Sequence, residues 1–305
     1  MKSSRRIAFL AVPVAIALLA GCASTSDAPA EDAAGGDYAD LASSEACTDL
    51  RTEYPDLDGE TLTNAINPYT PGYETINPDN PTEYQGFDID LGNALGACLG
   101  FSNDYVAVGF AELIPTVASG QADWILSNLY ATEERAAGGV DFISYSKVFD
   151  GILVAKDNPK GITGIDTTLC GVTVALNKGY VEIPLVEAVG PDCEAAGLEA
   201  PIVSLFDSSA DCMQAILAGR ADAYMNDVNT VVGFIAAHPD DLDSAETVML
   251  DYTIGIGVPQ GDHEFRDAIQ AALTEVQATG LQDELAAKWK LVENAVAEPT
   301  ILSVG

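Results

Sequence analysis

Two stretches of the sequence are built alike. SGQADWILSN (119–128) and AGRADAYMND (218–227) each hold a glycine, an Ala-Asp pair, an apolar run and a terminal Asn or Asp. The residues before each glycine have helical spacing, and the apolar run after it predicts a strand. Ligands of open parallel sheets bind beyond the carboxyl ends of such strands, so Asn128 and Asp227 are expected to face one shared cleft. The alternative is that such units recur by chance in any α/β protein.

The chain alternates strand and helix patterns from Gln85 onward, which predicts an α/β fold with parallel sheets. Leu91, Leu95 and Cys98 lie on one helical face, and Asp88 is placed to cap that helix. Helices close the chain after residue 263. The length leaves enough chain for two compact lobes or one large domain.

The first residues indicate export. A basic start is followed by an apolar run at 7–20, too short for a membrane span, so residues 1–21 are predicted to be a signal peptide. The run ends in LAGC, which resembles a bacterial lipobox with Cys22 as the lipidated N-terminus. The alternative is an ordinary secretory signal with a chance cysteine. Residues 22–46 lack a spaced apolar face and are predicted to be a flexible linker. We therefore expect a protein anchored by lipid to the extracellular face of the cytoplasmic membrane.

The net charge of −34 limits the partners. A surface this acidic repels nucleic acid and favours a soluble monomer. The cysteines and histidines have no metal-ligand spacing, so we expect no metal and no cofactor.

The remaining cysteines can form disulfides in this compartment. Cys170 and Cys193 bracket one strand–helix unit, and we expect them to pair. Cys47 with Cys98 is the other pairing considered, which leaves Cys212 free in a helix. The sequence alone does not prove the connectivity.

Several segments occur in an order that resembles family 3 solute-binding proteins of ABC importers, which capture polar amino acids and related solutes. The resemblance runs from about Thr63 to Lys290. It implies a two-lobe, type II periplasmic-binding-protein-like fold with two parallel or mixed sheets, helices around them and a ligand cleft between the lobes. Lobe 1 would be 47–147 plus 257–305, and lobe 2 would be 148–256. The segments are GFDIDLGNAL (86–95), FAELIPTVASGQAD (110–123), ATEERAAGGVDFISYS (131–146), LCGVTVALNKG (169–179), AILAGRADAYMND (215–227) and GLQDELAAKWK (280–290).

The resemblance assigns the main ligand contacts. Arg135, in the family's T-x-E-R segment, would grip a carboxylate, which a guanidinium pairs with two parallel hydrogen bonds. Asp227 would accept hydrogen bonds from an α-ammonium. The alternatives are a surface Arg135 paired with Glu133 or Asp141, and an Asp227 that caps the helix starting at Val228.

Aromatic residues match the walls of the family's ligand cleft. Phe110 would stack on the ligand, and Tyr69 and Tyr73 would line the cleft; for Tyr73 ordinary core packing is the alternative. Asn67 falls near a position that is acidic in some receptors for basic amino acids, and its neutrality argues against Lys or Arg as the ligand.

The sequence also departs from the family pattern. Tyr180 and Val181 replace a hydroxyl pair that helps to hold the carboxylate, Tyr130 replaces Ser or Thr, and Asn128 replaces a smaller residue. The expected ligand is therefore an amino acid or a modified or larger amino-acid-like solute.

We expect a non-enzymatic binding protein that closes on its ligand and delivers it to a membrane permease. One alternative is a ligand-sensing receptor subunit. The other is a lyase on the same fold, with Glu112 or Glu182 as the base.

Overall fold

The computed structural model describes residues 38–291 and 295–304. The predicted signal peptide, the lipidation site Cys22 and the first part of the linker lie outside the described residues. Within the described ranges, no helix is long and apolar enough to cross a membrane.

Helices and strands alternate over most of the chain, as predicted. The helices are α1 Ala39–Ala42, α2 Glu45–Glu53, α3 Phe87–Leu99, α4 Leu113–Ala118, α5 Glu133–Ala136, α6 Glu182–Glu187, α7 Gly190–Ala195, α8 Ser209–Leu217, α9 Val228–Ala237, α10 His263–Ala278 and α11 Leu281–Lys288. The strands are β1 Thr61–Ile66, β2 Tyr69–Thr70, β3 Glu74–Ile76, β4 Tyr84–Gln85, β5 Ser102–Ala107, β6 Trp124–Ile125, β7 Tyr130–Ala131, β8 Val140–Ala155, β9 Thr173–Asn177, β10 Ile202–Phe206, β11 Ala223–Asp227, β12 Leu242–Pro259 and β13 Ile301–Leu302. Short 3-10 turns lie at Pro55–Leu57, Phe110–Glu112 and Thr167–Leu169.

The long strands β8 and β12 join two groups of shorter strands. The main sheet has the order β10-β9-β11-β8-β12-β6-β1-β5. β1 is parallel to β5 and β6, and β9 is parallel to β10 and β11, whereas β8 and β12 run antiparallel to each other. The two predicted sheets are therefore parts of one mixed sheet, because the crossover strands pair along much of their length.

Buried apolar side chains pack on either side of these crossover strands, which defines two lobes. Along β8, Val148 packs with the core of α3 and α10, and Ile152 with the core around β9. Along β12 the change comes between Val248 and Ile254. Residues 253–256, assigned to lobe 2 from sequence, thus belong to lobe 1. The sequence of an unbroken strand does not indicate the residue at which it passes from one core to the other.

The end of the predicted linker is ordered, in contrast to the sequence expectation. Residues 39–42 and 45–53 are helical, and Leu41 is buried. Arg51 donates to Ala42 O (2.7 Å) and to Cys98 O (2.9 Å). The prediction failed for this stretch because its order comes from α2, which fastens it to α3, rather than from an apolar face of its own.

The predicted disulfide is present, and so is the second pairing, which the sequence left open. Cys170 bonds to Cys193, and Cys47 bonds to Cys98, which joins α2 to α3. Cys212 is a free, buried thiol that donates to Asn177 Oδ1 (3.5 Å), also as predicted.

The repeated units have the predicted form. α4 and α8 are each followed by a glycine with a left-handed backbone, Gly120 (φ 73°) and Gly219 (φ 65°), and then by β6 and β11. Asp88, in contrast, is not a helix cap: Gly86 is the N-cap of α3, and Asp88 lies in the first turn with its carboxyl in the interior.

Loss of the Cys47–Cys98 bridge is expected to destabilise the protein. The bridge spans 51 residues, and a loop of that length corresponds to about 4 kcal/mol in the chain-entropy model. The variant Cys47→Ala with Cys98→Ala should lower the free energy of unfolding in denaturant by about 2–4 kcal/mol. It should also speed proteolysis within residues 39–53. Unchanged stability and protease resistance would contradict this account.

Candidate functional site

The lobes contact each other through Arg135 of lobe 1. Thr132 caps α5 and thereby fixes the helical turn that carries Arg135. Its guanidinium donates to Tyr130 O in its own lobe and to Gly179 O in lobe 2, both at 2.8 Å. No ion pair among the described residues includes Arg135, and Asp141, one alternative partner, pairs with Arg266 (3.3 Å). The structure therefore does not show Arg135 paired with Glu133 or Asp141.

The ring of Phe110 lies beside this contact. The Arg135 guanidinium is 5.3 Å from the ring centroid, within the range of a cation–π interaction. The Tyr180 ring meets Phe110 edge-on from lobe 2, with 4.7 Å between centroids. Gly179 permits this approach, because a Cβ added to it would lie 3.0 Å from that of Ala111 and its φ is +82°.

Asp227 ends β11 and caps α9. Its Oδ1 accepts from Asn229 N (2.9 Å) and Asn229 Nδ2 (3.0 Å). Its Oδ2 is buried and has no donor among the described residues. The capping role is thus fulfilled with one oxygen, which leaves the other for a ligand. Burial raises the pKa of Asp227 to about 7.

Asn128 and Tyr130 follow β6 on the lobe 1 side. Asn128 has a left-handed backbone (φ 41°), and its N–H donates to Asp88 Oδ2 (2.6 Å). Its side-chain oxygen has no donor among the described residues. The Tyr130 hydroxyl crosses to lobe 2 and donates to Asp150 Oδ1 (2.7 Å).

Two cavities lie along the contact between the lobes. The inner cavity measures about 10 Å³, roughly the space that one water molecule needs. The outer one measures about 870 Å³ and includes Val181 in its wall. The inner cavity is lined by Thr70, Phe110, Asn128, Tyr130, Arg135, Tyr180, Glu182 and Asn226. The lobes therefore bring together most of the predicted site residues.

Four predicted contacts do not line the cavities, Asp227 among them. Tyr69 is 48% exposed, whereas the next residue, Thr70, lines the inner cavity, because neighbours in a strand point to opposite faces. Asn67 is buried, with its amide donating to Val108 O (2.8 Å). Tyr73 packs in the core against Phe87, and its hydroxyl accepts from Asn229 Nδ2 in lobe 2 (3.1 Å).

The acidic character of the site was largely missed from sequence. Glu182 was considered only as a possible base, and Asp150 was not considered, yet each is 1% exposed. The two carboxyls are hydrogen-bonded to each other, and burial raises the pKa of both. An aspartate inside the apolar run VFDGILVA was the available signal, since an unpartnered carboxylate in a buried strand is costly.

A second carboxyl pair, Glu74 and Asp88, accepts hydrogen bonds from Ser127 and Asn128 on the lobe 1 side. Glu74 Oε1 accepts from the Ser127 hydroxyl (3.0 Å), and Asp88 accepts from Tyr145 as well as from Asn128. Burial raises the pKa of Asp88 to about 6 and that of Glu74 well above its usual range. The two carboxyls are hydrogen-bonded to each other, so one of them carries a proton.

Comparison with known proteins identifies the family. The family model of the bacterial extracellular solute-binding proteins, family 3, matches residues 62–292. This chain belongs to that family. The arginine-binding protein ArgT of Corynebacterium glutamicum is 25% identical over 241 residues, which are 79% of this chain and 77% of that protein. The histidine-binding periplasmic protein of Salmonella typhimurium is 28% identical over 215 residues, 68% of this chain and 79% of that protein.

Solved structures agree with the fold. An ancestral arginine-binding protein bound to arginine superposes with a TM-score of 0.69 at 26% identity, over 75% of this chain and 97% of that one. The resemblance seen in the sequence and the type II two-lobe fold are thus both confirmed.

The Glu74–Asp88 pair makes stability depend on pH. A carboxyl whose pKa is higher in the folded state binds its proton more tightly there, so stability falls as pH rises above the unfolded value of about 4.3. Glu74→Gln removes this ionisation but still offers a donor to Asp88. It should therefore be more stable than the wild type at pH 8, by an amount that shrinks toward pH 4. Denaturant unfolding across this range measures the difference.

The exposed Glu60 supplies the control, because Glu60→Gln should leave the difference between pH 4 and pH 8 as it is in the wild type. A Glu74→Gln curve parallel to that of the wild type would show that Glu74 carries no buried proton.

Proposed function

We propose that this protein is the solute-binding subunit of an ABC importer and captures an amino acid or a close derivative between its lobes. In this proposal Arg135 binds the α-carboxylate and Asp227 the α-ammonium. Relatives that bind arginine and histidine support this solute class.

One observation carries the proposal. Arg135 and Asp227 lie on opposite lobes, and neither forms an ion pair with another of the described residues. The Arg135 guanidinium contacts backbone carbonyls in place of a carboxylate, and Asp227 Oδ2 has no donor. A buried charge without a counterion is costly, so a zwitterion that supplies both partners stabilises the closed arrangement.

Closure follows from this pairing. The inner cavity is too small for an amino acid, so the lobes must separate for entry, and the Arg135 contact with Gly179 O must break. A ligand carboxylate can take over that guanidinium edge in a bidentate pair. Because the ligand then contacts both lobes only when they are close, it shifts the equilibrium toward the closed form. The closed form is the one we propose docks on the permease.

Binding without chemical conversion is part of the proposal. Glu112, one of the two residues considered as a base, is exposed and accepts from Gly109 N (3.1 Å), where it caps the turn that carries Phe110. Glu182 is buried and lines the inner cavity together with Arg135, and we propose that it contacts the ligand there rather than acting as a base.

Loss of the Arg135 guanidinium is expected to abolish capture. Truncation of one partner of a buried charge pair costs about 2–5 kcal/mol, so Arg135→Ala should weaken amino-acid binding at least 30-fold in calorimetry. Arg135→Lys keeps the charge but loses the planar guanidinium, so its affinity should lie between that of the wild type and that of Arg135→Ala.

The exposed Arg220 of lobe 2 is the matched control, because Arg220→Ala removes the same charge outside the cleft. Wild-type affinity in Arg135→Ala, with Arg220→Ala also unchanged, would remove Arg135 from the site.

The anchor is tested separately in the living cell. If Cys22 takes lipid, Cys22→Ser should move the protein from the membrane fraction to the soluble extracellular fraction and abolish labelling with radioactive palmitate. Retention in the membrane fraction with unchanged labelling would contradict lipidation at Cys22.

A further inference from the structure

The wall of the inner cavity carries a hydrogen-bond acceptor that lacks a donor and a carboxyl that is paired with another carboxyl. The side-chain oxygen of Asn128, which is 5% exposed and lines the cavity, has no donor among the described residues. Asp227 Oδ2, at the end of β11, also has no donor among the described residues. The enclosed Asp150 carboxyl is hydrogen-bonded to that of Glu182, which lines the cavity. Buried acceptors of this kind are costly unless something donates to them, so the cleft is complementary to a ligand rich in N–H groups.

The charges around the cavity point in the same direction. Arg135 is the cation in the described wall of the inner cavity, whereas Glu182, Asp150 and Asp227 are all close enough to influence one another electrostatically. A zwitterionic amino acid pairs with Arg135 and Asp227. The Glu182–Asp150 pair shares a proton and so keeps one negative charge, which a neutral ligand side chain leaves unpaired.

The geometry separates this pair from the two predicted ligand contacts. Glu182 begins α6, three residues beyond Gly179, and faces the cavity. Asp150 lies on β8 and accepts from the Tyr130 hydroxyl through Oδ1 (2.7 Å), and its carboxyl is also hydrogen-bonded to that of Glu182. Asn128 faces the same space from lobe 1. A cationic group placed there would meet the Glu182 carboxyl from lobe 2, with Asp150 bonded to it, and an amide oxygen from lobe 1.

A simpler role for Glu182 is that of a counterion for Arg135, and its charge does act on that guanidinium. The contacts do not favour this role alone. No ion pair joins Glu182 to Arg135 among the described residues, and the guanidinium donates to backbone carbonyls. A counterion role also leaves the Asn128 oxygen without a donor among the described residues.

We propose that Glu182, Asp150 and the amide oxygen of Asn128 form a second subsite in the cleft, which binds the positively charged side chain of a basic amino acid. The inference rests on the proposed function, because it assumes that Arg135 and Asp227 hold the α-groups. It also reverses the sequence expectation against Lys or Arg. That expectation relied on Asn67, whose amide is bonded to Val108 O away from the cavities.

The test compares L-arginine with L-citrulline, which has the same shape but a neutral side chain. Calorimetry on the purified full-length chain should give at least tenfold tighter binding of L-arginine, and L-lysine and L-histidine at pH 5.5 extend the comparison to other cations. In Glu182→Gln and in Asp150→Asn, the ratio of arginine to citrulline affinity should fall at least tenfold. Both variants keep the hydrogen-bonding shape of the pair, and thermal unfolding checks that each is folded.

Glu187→Gln is the matched control, because Glu187 lies on the same helix but is exposed, and it should leave the ratio unchanged. The outcomes separate the two proposals. Binding of L-citrulline or L-glutamine as tight as that of the cations would overturn the subsite and leave the Arg135–Asp227 clamp standing. Equal weakening of all ligands by Glu182→Gln and Asp150→Asn would assign the pair to Arg135 as counterions and also overturn it. No binding of any of these amino acids would overturn the proposed function as well.

Discussion

The cleft is governed by charges that lie between two lobes and have no ion-pair partner among the described residues. The Arg135 guanidinium is held by one backbone carbonyl from each lobe, and Asp227 Oδ2 has no donor in the described part of the chain. Such groups cost free energy in a closed protein, and a single small zwitterion removes the cost at both. In the proposed function closure and recognition are therefore one event, since the ligand would supply the charges that the closed lobes lack.

The rest of the fold keeps these groups in place. β8 and β12 pass through both lobes, so the lobes can move about two strands while each keeps its own core. Beneath the cleft, the Glu74–Asp88 pair fixes the end of β6 through Ser127 and the N–H of Asn128. Burying a protonated carboxyl pair costs free energy. The pair in return holds the backbone N–H of Asn128, whose left-handed conformation is itself strained.

The sequence predicts the frame well and the finer contacts less well. The repeated units and the Cys170–Cys193 bridge were predicted from local pattern, whereas the ligand roles of Arg135 and Asp227 come from the resemblance to the family and stay predictions. Tyr69 was predicted and Thr70 was missed, because a sequence does not say which face of a two-residue strand is inward. Asp150 and Glu182 are 32 residues apart in sequence numbering and meet only through the fold. The order of residues 39–46 likewise comes from contacts with α3.

The most direct test of this account is a crystal structure of the protein with its bound amino acid. The account predicts the ligand carboxylate within hydrogen-bonding distance of the Arg135 guanidinium and the α-ammonium within reach of Asp227 Oδ2, with the side chain directed toward Glu182. A ligand bound in the reverse orientation, or one that leaves Arg135 on Gly179 O and Asp227 Oδ2 without a donor, would contradict it.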